Sequence, residues 1–143
     1  MQYLMLLYQT PDEFSARLDG QNEAYWGPWR AYHKALTDAG VRVGGSPLHP
    51  GSTGTTVRLR GGQRQIQDGP YADSKEQLGG YIILELPSLD AALEWAARCP
   101  TAATGAVEIR PIADRQELAR IGRVPLAGVY GGERARGIDP LEL

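Results

Sequence analysis

The run Gly80-Tyr-Ile-Ile-Leu-Glu-Leu86 constrains this chain more than any other segment. A run of that length, nearly continuous in apolar residues and carrying β-branched and aromatic side chains, is a strand covered on both faces. Such a strand is central in its sheet and needs neighbours. Tyr3-Leu-Met-Leu-Leu-Tyr8 supplies a second buried strand, and Val107-Glu-Ile-Arg-Pro-Ile112 alternates as a further one. Val41 to Leu48 is a weaker candidate, interrupted by Gly44, Gly45 and Pro47. Thr55–Arg60 and Gln63–Gln67 flank Gly61-Gly62, a two-residue hairpin signal.

Helices fill the intervals. Thr10, Pro11 and Glu13 form a start signal: a cap, a proline suited to the first helical position and a capping-box glutamate. Trp26, Trp29, Tyr32 or His33, Leu36 and Ala39 recur on one helical face, ending at Gly40. Pro28 is awkward inside that pattern, so the regular helix is expected from about Gly27. Ser88 caps a third helix with Leu89, Ala92, Leu93 and Ala96 on its apolar face, ended by Pro100. Asp114 to Ile121 reads as a short terminal helix, and the tail from Gly122 carries little core-forming content.

Strand, helix, strand, hairpin, strand, helix, strand is the split β-α-β plan. The fold class is therefore α+β, a ferredoxin-like sheet with an inserted β-hairpin. Residues 1–113 form the domain and 114–143 a C-terminal extension; 143 residues suffice for one core. Helices cover one face only, so the apolar residues of the other face predict a homodimer.

Composition removes several function classes. A net charge of −2 lacks the footprint of a general nucleic-acid binder. A single cysteine, Cys99, excludes an internal disulfide and suits a reducing compartment. No apolar run reaches membrane-spanning length, so the expected location is cytoplasmic. No phosphate-loop or dinucleotide motif occurs, and His33, His49 and Cys99 sit at no metal-ligand spacing. We expect no cofactor and no metal.

The segment Asp68-Gly-Pro-Tyr-Ala-Asp-Ser-Lys-Glu76 concentrates charge directly before the central strand. Asp68-Gly69-Pro70 is a turn, which the aspartate can simply staple. It can also present Tyr71, Asp73, Lys75 and Glu76 at a cleft: Tyr71 as hydroxyl or stacking face, Lys75 for an anionic group, Glu76 as base. A solvated loop is the plainer alternative. His49, in a loop of glycine and proline, is a further candidate for ligand binding. His33 is expected at the core edge and Cys99 as a small buried residue. Trp26, Trp29 and Tyr32 form an aromatic stripe that is core by default. A pocket between their helix and the sheet would give them a flat apolar ligand. Arg58, Arg60 and Arg64 read as the exposed face of the hairpin.

DGPYADSKEQLGGYIILELPSLDAALEWAARCP, from Asp68 to Pro100, resembles the DGPF branch of the YCII-related proteins, and YLMLLY, TTVRLR and GAVEIRPI extend the likeness over roughly residues 2–112. The resemblance implies a ferredoxin-like fold pairing as a dimeric α/β barrel. It also implies a superfamily with enzymes acting on small, often aromatic or ring-chlorinated molecules, and frequent proximity to sigma factors of the extracytoplasmic type. Members proposed to be enzymes carry a histidine early in the first main helix; here Trp29 stands at that register and His33 on another turn, so a histidine mechanism does not transfer. Two functions follow. The first is a homodimeric small-molecule-binding protein or enzyme for a small aromatic or acidic ligand, with its cleft beside the Asp68–Glu76 loop. The second is a non-enzymatic accessory protein with a sigma-factor-related partner, using the hairpin or tail.

Overall fold

The computed structural model describes residues 1–122; segment 123–143, with the expectations placed on the tail, lies outside them. Strand β1 (Gln2–Gln9) leads to helix α1 (Pro11–Arg17) and then α2 (Glu23–Ala39). Strand β2 (Arg42–Pro47), a 3-10 turn at Gly51–Thr53 and the hairpin of β3 (Thr55–Arg60) and β4 (Gln63–Asp68) follow. Strand β5 (Gln77–Glu85), α3 (Leu89–Arg98), α4 (Pro100–Thr104), β6 (Ala106–Pro111) and α5 (Arg115–Gly122) complete the order.

Four strands form one antiparallel sheet in the order β2-β5-β1-β6, with β3 and β4 as a separate ribbon. That order, with the connections as they run, is the ferredoxin-like plan, and β5 and β1 are its inner strands. Along β1 burial alternates strictly. Tyr3, Met5, Leu7 and Gln9 are buried against the helices, while Leu4, Leu6 and Tyr8 are half-buried on the other face. Leu36 of α2, Leu84 of β5 and Ala92 of α3 close the core with Met5, all fully buried.

The caps explain most element starts. Thr10 accepts from the Glu13 N–H, and Ser88 from that of Ala91. Gly40 ends α2 at φ 67°, a conformation that suits glycine. One expectation needs correction, and one gains an element. Helix α2 begins at Glu23, capped by Asn22, and runs through Pro28. The proline lies in the second turn, so its ring crowds only the carbonyl of Ala24 and costs one backbone bond near an end. The helix before Pro100 ends at Arg98, because Cys99 is extended (ψ 130°) as a pre-proline residue should be, and Pro100 opens a new helix.

Two glycines set the sheet edge where the site lies. Between Leu7 and Tyr8 the β1–β5 register skips Gly79, leaving it in a bulge. Its free carbonyl accepts from the Leu48 N–H at 2.8 Å. Gly45 of β2 has φ 151°, and a Cβ there would stand 2.6 Å from the Tyr81 carbonyl oxygen. Gly45 lets the β5 backbone approach, and Gly79 leaves room for the Gln9 side chain, where a Cβ would block either.

Candidate functional site

A cavity of about 290 Å³ lies between α2 and the helix-facing side of β2, β5 and β1. Leu7 and Ile82 form its floor, Tyr25, Trp26 and Trp29 its aromatic wall, and Arg17, Arg42 and His33 are among its polar residues. The wall arises from helical spacing, which puts Trp26 and Trp29 on one face, and Trp29 stacks on His33 with centroids 5.7 Å apart. No aspartate or glutamate of the described residues lines it.

The electrostatics are one-sided. Arg30 is engaged by Glu23. Arg17 and Arg42 are half-buried and make no ion pair among the described residues. Arg17 donates through Nη1 to Gln9 Oε1 at 3.0 Å and Gly79 O at 3.3 Å, and through Nη2 to Leu48 O at 2.8 Å. Arg42 donates through Nη2 to Gly45 O at 3.3 Å. Among the described residues, two buried side-chain donors have no acceptor: Trp29 Nε1 and Arg42 Nε. The Tyr25 hydroxyl comes near enough to the indole and to Gln9 for both to favour its phenolate, yet it completes no bond to the indole. Burial and those neighbours together still leave the Tyr25 pKa raised. Partial desolvation, with Arg42 beside it, lowers that of His33, whose side chain is otherwise exposed at the rim of the cavity.

A buried polar relay stands behind Arg17. Thr101 of α4 donates to Glu13 Oε2 at 3.3 Å and accepts from Gln9 Nε2 at 3.3 Å; Thr104 also donates to Glu13. With its amide nitrogen committed to Thr101, Gln9 must turn its oxygen toward Arg17. A carboxylate on α1 thus fixes, through two side chains, the guanidinium at the cavity.

The residues singled out from sequence distribute unevenly. Trp29 lines the cavity; Tyr32 packs behind it, donating to the Trp95 carbonyl at 2.8 Å. Tyr71 is 79% exposed, its ring under the Arg58 guanidinium on the hairpin side. Asp68 ends β4, exposed, and the turn is tied instead by Gly69 N–H to Gly54 O and by Thr56 Oγ1 to Gly69 O. Glu76 is half-buried and His49 exposed, both outside the cavity lining. Lys75 borders shallower depressions that share Gln9 and Tyr25 with the cavity. The loop thus reaches the cavity through Gly79 and Gly80. Cys99 is buried, its thiol pushed up to about 11 mainly by desolvation, as suits a packing residue. Sequence reasoning missed Gln9, Arg17 and Arg42. The alternation Tyr3, Met5, Leu7, Gln9 did signal a glutamine on the helix-facing side; Arg42 required the pairing with Leu84.

The model for the YCII-related domain matches residues 1–116. The chain belongs to the YCII-related family. An uncharacterised protein of Rhizobium meliloti (strain 1021) is 32% identical over 115 residues, covering 79% of this chain and 93% of its own. Among solved structures, 5-chloro-2-hydroxyhydroquinone dehydrochlorinase from Burkholderia phenoliruptrix, in complex with 2,5-dihydroxybenzoquinone, aligns with a TM-score of 0.46 at 18% identity. That alignment covers 79% of this chain and 94% of the other. Among the described residues of this YCII-related chain, no helix is long and apolar enough to cross a membrane.

Proposed function

We propose that this YCII-related protein, which we place in the DGPF branch on its Asp68–Leu86 block, binds a small flat molecule in the cavity beneath α2. The observation that carries this is a pair of buried donors without an acceptor among the described residues, Trp29 Nε1 and Arg42 Nε, on two residues that line an aromatic-walled cavity. Buried polar groups are otherwise satisfied, so such a pair is a place kept for a ligand's acceptors. The cleft therefore sits one strand entry away from Asp68, Tyr71, Lys75 and Glu76, and Lys75 borders a separate depression that shares Gln9 with it. If the ligand reacts, His33 is the lining group suited to take a proton near neutral pH. The half-buried apolar residues Leu4, Leu6, Tyr8, Tyr81 and Ile83 on the sheet's other face support a homodimer.

Crystals soaked with flat aromatic fragments test the reading. It expects density against Trp26 and Trp29; fragments bound only at the Asp68–Glu76 loop would sink it.

A second reading has its own observation. Val57, Leu59 and Ile66 lie exposed on one face of the β3–β4 ribbon, a surface for a protein partner, consistent with an accessory role near a sigma factor. Pull-down with Val57→Ser/Ile66→Ser and with the unaltered chain separates it: identical partners would remove the ribbon from that role.

A further inference from the structure

We propose that the cavity's ligand is a flat carboxylate anion whose charged group is held by the Arg42 guanidinium and the Trp29 indole N–H. The proposal rests on the reading that the cavity is a ligand site and adds the charge and shape of what enters it.

Four features select this class. Among the described residues, Arg42 spends one of its five donors, on Gly45 O, and its buried Nε has no acceptor. Arg17 donates to neutral oxygens, so both guanidinium charges reach a cavity whose lining holds no carboxylate, Glu13 acting on it only from behind Arg17. A cation is therefore repelled, and a neutral amide leaves the charge of a half-buried arginine unanswered. A carboxylate instead presents two oxygens with lone pairs enough for the planar fork of Arg42 and for one further N–H. A phosphate or sulfate carries more oxygens than these donors serve, and the surplus would face Leu7 and Ile82. Flatness follows from the walls, because the remaining space is bounded by Trp26 and Trp29.

Titration of the full chain with benzoate, benzamide and benzamidinium, at pH 7 and fixed ionic strength, tests the assignment by calorimetry. Benzoate should bind about tenfold or more tightly than benzamide, the usual weight of a charge-assisted hydrogen bond, and benzamidinium should not bind. Arg42→Gln should bring benzoate down to the affinity of benzamide while leaving benzamide unchanged. Trp29→Phe keeps the ring wall and removes the N–H, and should weaken benzoate severalfold. Benzamide binding as tightly as benzoate would overturn the anion assignment and leave the ligand site standing. If none of the three binds, both readings fall. Should Arg42→Gln fail to fold, the three-probe ratio on the unaltered chain and Trp29→Phe still decide.

Discussion

Trp29 and His33 share a stack on α2, and the two side chains answer different questions. Helical spacing alone marks Trp29 as core, and it is 7% exposed. What spacing cannot show is that its N–H ends without an acceptor, because that depends on which strand residue lies opposite. His33 carries the pH consequence. Its pKa is lowered from the ordinary 6.5 by burial and by Arg42, so the unfolded chain binds the proton first as pH falls. The stability it contributes is present above 6.5 and is lost as pH falls through the lower folded-state value. A proton NMR titration should place the His33 midpoint below 6.5, and Arg42→Gln should move it upward. A midpoint at or above 6.5 would contradict both causes, the partial covering of the ring and the charge of Arg42. Asp68, Asp73, Lys75 and Glu76 drew notice as a block of charge, but Arg17 and Arg42 come singly from α1 and β2, where no local cluster announces them.

At the scale of elements, the relay joins three pieces that are far apart in sequence: Gln9 at the end of β1, Glu13 in α1 and Thr101 in α4. Thr101 is fully buried, so removing its hydroxyl strands two partners that water cannot reach. Thr101→Val should therefore cost about 1–3 kcal/mol in urea unfolding. Thr101→Ser, which keeps the hydroxyl and loses one methyl group, should cost about 1 kcal/mol or less. Equal losses would reduce Thr101 to packing. The elements themselves were largely legible, since strand alternation, the Thr10 and Ser88 caps and the Gly40 stop are local signals. The misjudged points were those where one local signal opposed another. Asn22 outweighed Pro28 in starting α2, and Pro100 proved a beginning as well as an end. The polar relay gave little local sign, because its members meet only when the sheet is assembled.

For the whole molecule, the ferredoxin-like order β2-β5-β1-β6 follows from one central apolar strand and the element sequence around it. It leaves Leu4, Leu6, Tyr8, Tyr81 and Ile83 on a face the core helices do not cover. Analytical ultracentrifugation should give twice the 15.6 kDa chain mass, and Leu6→Glu with Ile83→Lys should return the monomer. A monomeric parent would refute the pairing. The central claim, however, is that the space beneath α2 is where this YCII-related protein meets its ligand. Of the three indoles, that of Trp26 donates to Asp19 O, whereas the N–H of Trp29, a residue lining the cavity, is buried with no acceptor among the described residues. A nitrogen-15 correlation spectrum followed during titration with benzoate reads each indole N–H separately. The account predicts a saturable displacement of the Trp29 indole signal, with that of Trp95 unmoved. Shifts confined to Asp68–Glu76, with the Trp29 indole unchanged at saturation, would contradict it.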